Sequence, residues 1–158
     1  MIVRVPDLKD EVRQVEFLEP AADLNTQIDA ARGWNDQHFA RDVAVVGELY
    51  RSGSDVHFQG SLEADVRAVC ARCLDEFEWP LERPFRFVIV PGKPDDDSED
   101  DEGVDHYCGD DLDLSPLVRE QAMLALEVTL LCTPECRGLC AGCGANLNRE
   151  ACRCGAPS

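Results

Sequence analysis

The densest cluster of cysteines in this chain lies near its end, between Cys132 and Cys154. Six of the nine cysteines fall within these 23 residues. Thiolates so close in sequence can converge on one point without a large fold, which is how small modules hold a metal ion. A Cys-x-x-Cys turn supplies two of the four sulfur ligands of a tetrahedral site, and Cys140-Ala-Gly-Cys143 has this spacing. The stretch therefore predicts a metal-binding module.

A second pair of cysteines, Cys152 and Cys154, follows the Cys140/Cys143 turn after eight residues. Those residues include Asn146, which suits a loop that turns back on itself. We expect the two pairs to meet as one four-thiolate site. Soft thiolate ligands favour zinc, so the predicted ion is a structural Zn²⁺.

A further Cys-x-x-Cys, Cys70-Ala-Arg-Cys73, lies between two stretches of alternating apolar residues. This alternation predicts strands on both sides, so the cysteines occupy a hairpin turn. A thioredoxin-type redox pair would instead begin a helix. The position favours a zinc knuckle, with a redox pair and unligated structural cysteines as the alternatives.

The remaining regular elements are predicted from hydrophobic periodicity. Two short strands fall within residues 1–20, a hairpin covers about residues 43–69 with a bulge at Gly60, and a third long strand ends near residue 90. A short helix is indicated from Asp23 to Gly33. The main helix is predicted from Ser115 to about Val128, with Pro116 in its first turn.

The chain is strongly acidic, with 32 acidic and 15 basic residues among 158 and a formal charge of −17. Such a charge opposes contact with bare nucleic acid. It is equally consistent with attraction to basic proteins and with a role in solubility alone. Eight of the eleven residues from Asp95 to Asp105 are acidic, which predicts a disordered loop at 92–105. We find no membrane span, no secretory signal, no catalytic constellation and no small-molecule site, and we expect a cytoplasmic protein.

These observations predict an α+β fold. An antiparallel sheet of β-hairpins, partly open and barrel-like, is packed by one main helix and followed by a small zinc-binding module. The expected domains are residues 1–131, with the acidic loop at 92–105, and a Cys-rich tail at 132–158.

Taken together, the cysteine groups and their surroundings resemble the YceD family of bacterial large ribosomal RNA subunit accumulation proteins. The resemblance covers about residues 40–155. Its features are Cys70-Ala-Arg-Cys73-Leu74 between strands, the acidic loop, Tyr107 followed by Asp113-Leu114, the Leu124-Ala125-Leu126 run, and the tail Cys136-Arg-Gly-Leu139-Cys140-Ala-Gly-Cys143-Gly-Ala-Asn146-Leu147-Asn148 with Cys152 and Cys154. It implies a non-catalytic role in large-subunit ribosome biogenesis, with zinc serving the fold.

Eight cysteines remain once the isolated Cys108 is set aside, and they divide into two sets in more than one way. Our first grouping places Cys140, Cys143, Cys152 and Cys154 in one site and Cys70, Cys73, Cys132 and Cys136 in another. A rival grouping joins Cys132, Cys136, Cys140 and Cys143 and leaves Cys70, Cys73, Cys152 and Cys154. One zinc site is expected and a second is open.

The leading functional hypothesis is an assembly factor whose acidic surface binds a basic ribosomal protein or assembly factor, reaching precursor rRNA only indirectly. A second hypothesis is a thiol redox or zinc-handling protein that uses Cys70 and Cys73, which requires an accessible, reactive thiol. A third is an acidic structural module.

Overall fold

The computed structural model describes residues 1–31, 37–92 and 105–155. The elements follow one another as β1 (Ile2–Arg4), a 3-10 turn (Val5–Asp7), β2 (Arg13–Glu19), α1 (Ala21–Ala30), β3 (His38–Phe39), β4 (Val43–Ser52), β5 (Asp55–Val69), β6 (Glu76–Pro91), β7 (Asp105–Tyr107), β8 (Asp111–Asp113) and α2 (Ser115–Leu124). The α+β prediction is confirmed.

A six-stranded sheet forms the body of the protein. Its strands lie in the order β2-β4-β5-β6-β7, and β3 pairs with the far part of β5. All pairings are antiparallel except that of β6 with β7. In the described part of the chain the end strands do not pair with each other, so the sheet is not closed into a barrel. A separate ribbon joins β1 to β8.

The core lies between the two helices and one face of the sheet. Every second residue of the long strands points inward and contacts apolar side chains from both helices and from the β1/β8 ribbon. The central members are Leu24, Ile28, Leu49, Phe58, Leu62, Ile89, Leu114 and Val118. The opposite face of the sheet is left to solvent and carries the polar residues of the alternating pattern.

An ion pair within the core region connects three elements. Glu19, at the end of β2, is 2% exposed and accepts a hydrogen bond from Nε of Arg119 on α2. The same guanidinium donates to Asp23 of α1 at 2.7 Å. A buried carboxylate requires such a partner, so Arg119 fixes α2 against both β2 and α1.

The predicted bulge at Gly60 is wrong. The pairing register runs through Gly60 without interruption and places it opposite Gly47. A Cβ at Gly60 would overlap the carbonyl oxygen of Val46. The glycine therefore permits a close approach of two backbones, which is the other reason for glycine inside a strand.

The helices differ from prediction at their ends. Helix α1 begins at Ala21 and ends at Ala30, whereas the predicted terminator Gly33 lies outside the described residues. Helix α2 ends at Leu124 instead of Val128. Beyond it Leu126 packs into the core while Val128 is 86% exposed, because the chain turns there toward the β5–β6 hairpin. No helix among the described residues is long and apolar enough to cross a membrane.

The predicted division into domains at residue 131 stays a prediction. The acidic stretch at 93–104, expected to be disordered, lies outside the described residues, and only its flanks at Gly92 and Asp105 are described.

Candidate metal centres

The first Cys-x-x-Cys forms the turn between β5 and β6, as predicted. The N–H of Leu74 donates to the carbonyl of Cys70 at 2.9 Å, and the N–H of Cys70 donates to the carbonyl of Asp75 at 2.9 Å. Leu74 has a φ of 60°, a left-handed conformation that is uncommon for a residue other than glycine. The turn thereby directs both sulfurs, those of Cys70 and Cys73, to one side.

The second Cys-x-x-Cys has the same backbone arrangement. The N–H of Gly144 donates to the carbonyl of Cys140 at 2.9 Å, and the N–H of Cys140 donates to the carbonyl of Ala145 at 2.8 Å. Gly144 has a φ of 71° and occupies the position of Leu74 in the first turn. Two turns with matching hydrogen bonds thus present two sulfur pairs in the same way.

The first turn is joined by a pair of cysteines that follow α2. The sulfur of Cys70 lies 3.7 Å from that of Cys136, and the sulfur of Cys73 lies 3.6 Å from that of Cys132. Cys70, Cys73 and Cys136 are buried and Cys132 is half-buried. We call these four residues the buried group.

Backbone contacts on both sides hold the buried group in place. The N–H of Ala71 donates to the carbonyl of Leu130 at 2.9 Å, and the N–H of Leu139 donates to that of Arg72 at 2.9 Å. The Arg72 guanidinium also donates to the carbonyl of Cys136 at 3.0 Å. Gly138 is required beside this turn, because a Cβ there would lie 2.9 Å from the Arg72 carbonyl oxygen.

The second turn is joined by Cys152 and Cys154, as predicted. The sulfur of Cys140 lies 3.3 Å from that of Cys152 and 3.6 Å from that of Cys154, and the sulfur of Cys143 lies 4.0 Å from that of Cys152. Cys140 is half-buried and the other three are exposed. We call these four residues the exposed group.

Gly142 serves the exposed group through its lack of a side chain. Its φ is not among the positive values that Gly144 and Gly138 adopt. Instead, a Cβ at position 142 would lie 2.5 Å from the sulfur of Cys154. The glycine thus leaves room for the last cysteine of the exposed group.

The asparagines of the tail connect the two groups to the sheet. Asn148 accepts a hydrogen bond from the N–H of Arg137 at 2.8 Å and donates through Nδ2 to the sulfur of Cys136 at 3.3 Å. Asn146 donates to the carboxylate of Asp75 at 3.0 Å. Donors to a ligand atom and its neighbours orient that ligand, so this loop supports the buried group as well as closing the exposed one.

The sulfur positions in both groups suit a tetrahedral ion. A centre with four sulfurs at about 2.3 Å separates each pair of sulfurs by about 3.8 Å. The distances of 3.3 to 4.0 Å in the two groups lie around this value. All four ligand atoms of each group lie within 4.8 Å of one another. Either group could therefore hold a metal ion.

The cysteines of the buried group differ widely in their thiol pKa values. Burial opposes ionisation of Cys70, but backbone hydrogen bonds from Cys132, Cys73 and Arg72 outweigh it and lower the pKa of Cys70 to about 6. The backbone of Asp75 favours the Cys73 thiolate, yet burial and the neighbouring sulfurs raise the pKa of Cys73 to about 12. One thiolate therefore forms readily in this group, and its negative charge opposes ionisation of the next thiol.

The exposed group behaves in the same way. Backbone hydrogen bonds from Cys143 and Gly142 lower the pKa of Cys140 to about 6. Side-chain hydrogen bonds with Cys140, Cys152 and Cys143 raise the pKa of Cys154 to about 12. Four sulfurs this close cannot all ionise on their own, whereas a divalent cation at their centre would displace the remaining protons.

The structure brings together the two sets of the first grouping. The sets of the rival grouping do not converge in the part of the chain that is described. Cys108 stands apart from both groups and donates to the carbonyl of Gly92 at 3.1 Å. That the eight cysteines bind an ion, and that the ion is zinc, stay predictions.

The redox hypothesis required accessible sulfurs at Cys70 and Cys73. These residues are 0% and 3% exposed, so the turn does not offer them to solvent. The exposed thiols are instead Cys143, Cys152 and Cys154 of the exposed group and the separate Cys108.

The residues that hold the two groups in place are not evident from cysteine spacing. The Asp75 carboxylate accepts a hydrogen bond from Asn146 and forms an ion pair with Arg149 at 3.0 Å. These two contacts attach the tail to the hairpin. Arg72 does the same from the other side of the turn. In the sequence, Arg72 and Asp75 are marked only by their position close to Cys73. That position does not distinguish them from ordinary turn residues unless the location of the tail is known.

Much of this chain is similar in sequence to a known protein family. The family described as "Large ribosomal RNA subunit accumulation protein YceD" matches residues 58–158, more than half of the chain. The chain is 40% identical over 45 residues to an Arabidopsis thaliana protein named "Large ribosomal RNA subunit accumulation protein YCED homolog 1, chloroplastic", and 47% identical over 47 residues to the Zea mays protein of that name.

Each alignment with these plant relatives covers 28% of this chain and 14% or 15% of the relative. The chain thus spans a small part of their length. No solved structure matches it significantly. The family match includes both cysteine turns, the helix α2 and the whole tail, and on it the chain belongs to the YceD family.

Proposed function

We propose that this protein is a non-catalytic factor in large ribosomal subunit biogenesis that supports the accumulation of the subunit's rRNA. The family match over residues 58–158 supports the process, since the family and the plant relatives are named for it. We place the protein in the cytoplasm, where thiolates remain reduced and free to bind zinc.

The proposed mode of action is supported by two carboxylates on the solvent face of the sheet. Glu63 on β5 lies directly opposite Glu82 on β6, and within the described residues neither forms an ion pair. Like charges opposed across a strand pair destabilise a sheet. The opposed carboxylates of Glu63 and Glu82 would be stabilised by a positively charged partner. This pair is the observation on which the proposed mode of action rests.

Apolar side chains lie beside these carboxylates. Val46 is 51% exposed, and Leu18 on the adjacent strand is 63% exposed. Together they make an apolar strip next to Glu63 and near Glu48, whose carboxylate is held by Gln14 and Gln59. An apolar strip with acidic neighbours fits a basic protein segment that also carries apolar residues.

Charge disfavours the other occupants of this face. RNA would bring phosphates against Glu63 and Glu82, and a second copy of the chain would bring the same carboxylates against themselves. Each four-cysteine group, once occupied by a divalent ion, adds −2 to a chain that already has a formal charge of −17. The preferred partner is therefore a basic ribosomal protein or assembly factor.

Both four-cysteine groups have a structural role in this proposal. When bound, zinc supplies the cross-link that a tail too short for its own core requires. Cys70, Cys73, Cys132 and Cys136 would hold one ion, and Cys140, Cys143, Cys152 and Cys154 the other.

The test uses the purified chain and a panel of purified large-subunit ribosomal proteins, with protein-free large-subunit rRNA as a separate ligand. We expect salt-dependent binding to one or more basic proteins and none to the rRNA. The double variant Glu63→Gln/Glu82→Gln should weaken that binding roughly five- to tenfold. Asp10→Asn/Glu11→Gln, at exposed positions outside the sheet, is the control with the same charge change.

Stability measured on the same variants separates binding from folding. Removing the opposed charges should raise the free energy of unfolding by roughly 0.2–1 kcal/mol, while binding falls. Equal loss of binding in both double variants would show that net charge, not this face, attracts the partner. Tight, salt-insensitive binding of the naked rRNA would overturn the proposed mode.

A further inference from the structure

The buried group and the exposed group differ sharply in their access to solvent. Cys70 is 0% exposed, and Cys73 and Cys136 are each 3% exposed. In the other group Cys143, Cys152 and Cys154 are exposed. A chelator or oxidant in solution can reach the second set of sulfurs directly, whereas it reaches the first only after local unfolding.

The groups also differ in how firmly the chain around them is held. The buried group lies between backbone hydrogen bonds on both sides, from Ala71 to Leu130 and from Leu139 to Arg72. Within the described residues the chain from Ala151 to Gly155 forms no backbone–backbone hydrogen bond, and its Arg153 forms an ion pair with nearby Glu150. Sulfurs in this end segment can move toward a partner without disturbing the core.

One pair of sulfurs in the exposed group is already close. Cys140 and Cys152 have their sulfurs 3.3 Å apart, whereas in the buried group the sulfurs of Cys73 and Cys132 are 3.6 Å apart and those of Cys70 and Cys136 are 3.7 Å apart. Cys140 is fixed by its turn and Cys152 belongs to the end segment. The pair therefore combines an anchored sulfur with a movable one.

From these differences we propose that the exposed group is an oxidation-sensitive metal site, whereas the buried group keeps its ion. Hydrogen peroxide is the oxidant class. The exposed Cys152 thiolate attacks one peroxide oxygen, the O–O bond breaks, and a sulfenic acid and hydroxide result. The Cys140 thiolate, whose sulfur lies 3.3 Å away, then attacks the Cys152 sulfur and displaces a second hydroxide, forming the disulfide. Two thiolates lose two electrons and the peroxide gains them.

Formation of this disulfide removes two of the four ligands, so the ion leaves the exposed group. The change reaches a neighbouring surface. A depression of about 460 Å³ is lined by Cys152 together with Arg137, Leu147, Asn148, Arg149 and Glu150. Oxidation would therefore alter a face of the tail that carries two arginines, while the sheet face stays as it is. This response of the tail to oxidation does not depend on the proposed ribosomal role.

The test uses the full chain purified with its metal under reducing conditions and then freed of reductant. Metal content is measured by elemental analysis, and release during peroxide treatment is followed with a chromogenic zinc chelator. We expect half of the bound metal to leave at a rate at least about tenfold above that of the rest. Mass spectrometry after alkylation should place the disulfide between Cys140 and Cys152, with the buried group alkylated only after denaturation.

Two variants make the assignment specific. Cys152→Ser removes the movable sulfur and should purify with half the metal of the wild type, without the fast phase and with an unchanged melting temperature of the body. Cys108→Ser removes an exposed cysteine outside both groups and should release metal as the wild type does.

Several results would overturn the inference. They are release of all the metal at one rate, a first disulfide within the buried group, retention of the exposed ion until the protein unfolds, and wild-type protein in which the exposed group binds no metal. A fast phase that persists in Cys152→Ser would also refute the assigned pair.

Discussion

Substitution of Gly142 by alanine is the sharpest test of the exposed group's geometry. The added Cβ would lie 2.5 Å from the sulfur of Cys154. Ordinary contacts of this kind are about 3.5–4.0 Å, so the sulfur must move by at least about 1 Å. A metal site tolerates about 0.2 Å in a ligand distance. We therefore expect Gly142→Ala to lose Cys154 as a ligand.

Mutation of groups that only orient a ligand typically lowers metal affinity ten- to a hundredfold, equivalent to about 1.4–2.7 kcal/mol. Loss of the Cys154 ligand itself should therefore lower the affinity of the exposed group by at least about tenfold. The loss should be confined to the exposed group, because the atoms nearest the added Cβ belong to Cys154 and Cys140. The melting temperature of the body should stay unchanged.

Gly155→Ala is the matched control. Both glycines have backbone conformations open to alanine, and a Cβ at Gly155 would meet nothing within 4 Å. Competition titration with a chromogenic zinc chelator measures the affinity of both variants. If Gly142→Ala and Gly155→Ala bind the exposed ion with wild-type affinity, the position of Cys154 beside Gly142 is wrong.

Two further predictions concern the body of the protein. Arg119→Ala should lower the free energy of unfolding by about 3 kcal/mol, because Glu19 is buried and would lose its partner; denaturant titration that shows a loss below about 1 kcal/mol would contradict this. Glu48 has its pKa lowered by hydrogen bonds from Gln59 and Gln14, so a carboxyl titration by NMR should show this pKa rising in Gln59→Leu, and no change would refute the contact. Since the folded pKa is the lower one, any stability from Glu48 is present above its unfolded pKa and is lost as pH falls through the folded one.

The tail supplies one more prediction. Asp75→Ala removes the acceptor for both Asn146 and Arg149. Hydrogen exchange should accelerate in residues 137–149 and remain unchanged in β4, and uniform exchange rates would contradict a local anchor.

The long strands were predictable because alternation of apolar and polar residues reports one buried face. β4, β5 and β6 carry that pattern over ten or more residues each. β3, β7 and β8 have two or three residues and no pattern of their own. These short strands form because tertiary contacts bring their residues against another strand. Such contacts cannot be predicted from the local sequence.

The cysteine grouping was only half determined by sequence. A Cys-x-x-Cys fixes two sulfurs locally, so both turns could be identified from spacing alone. Which pair completes each turn depends on where the chain travels between them. Here α2 ends at Leu124, four residues before its predicted end, and the chain then returns along the hairpin so that Leu130 meets Ala71.

The two matching turns show how one local structure can serve two purposes. Leu74 and Gly144 hold the same left-handed position, so the backbone presents sulfurs equally well in both. What differs is the surrounding chain. The first turn is covered by Leu131 and Phe77 and connects the hairpin to the end of α2, so its ion would stabilise the whole fold. The second turn lies at the surface, and its ion would connect only residues of the tail. Loss of its ion would therefore change a surface and leave the fold intact, which is the property a responsive site requires.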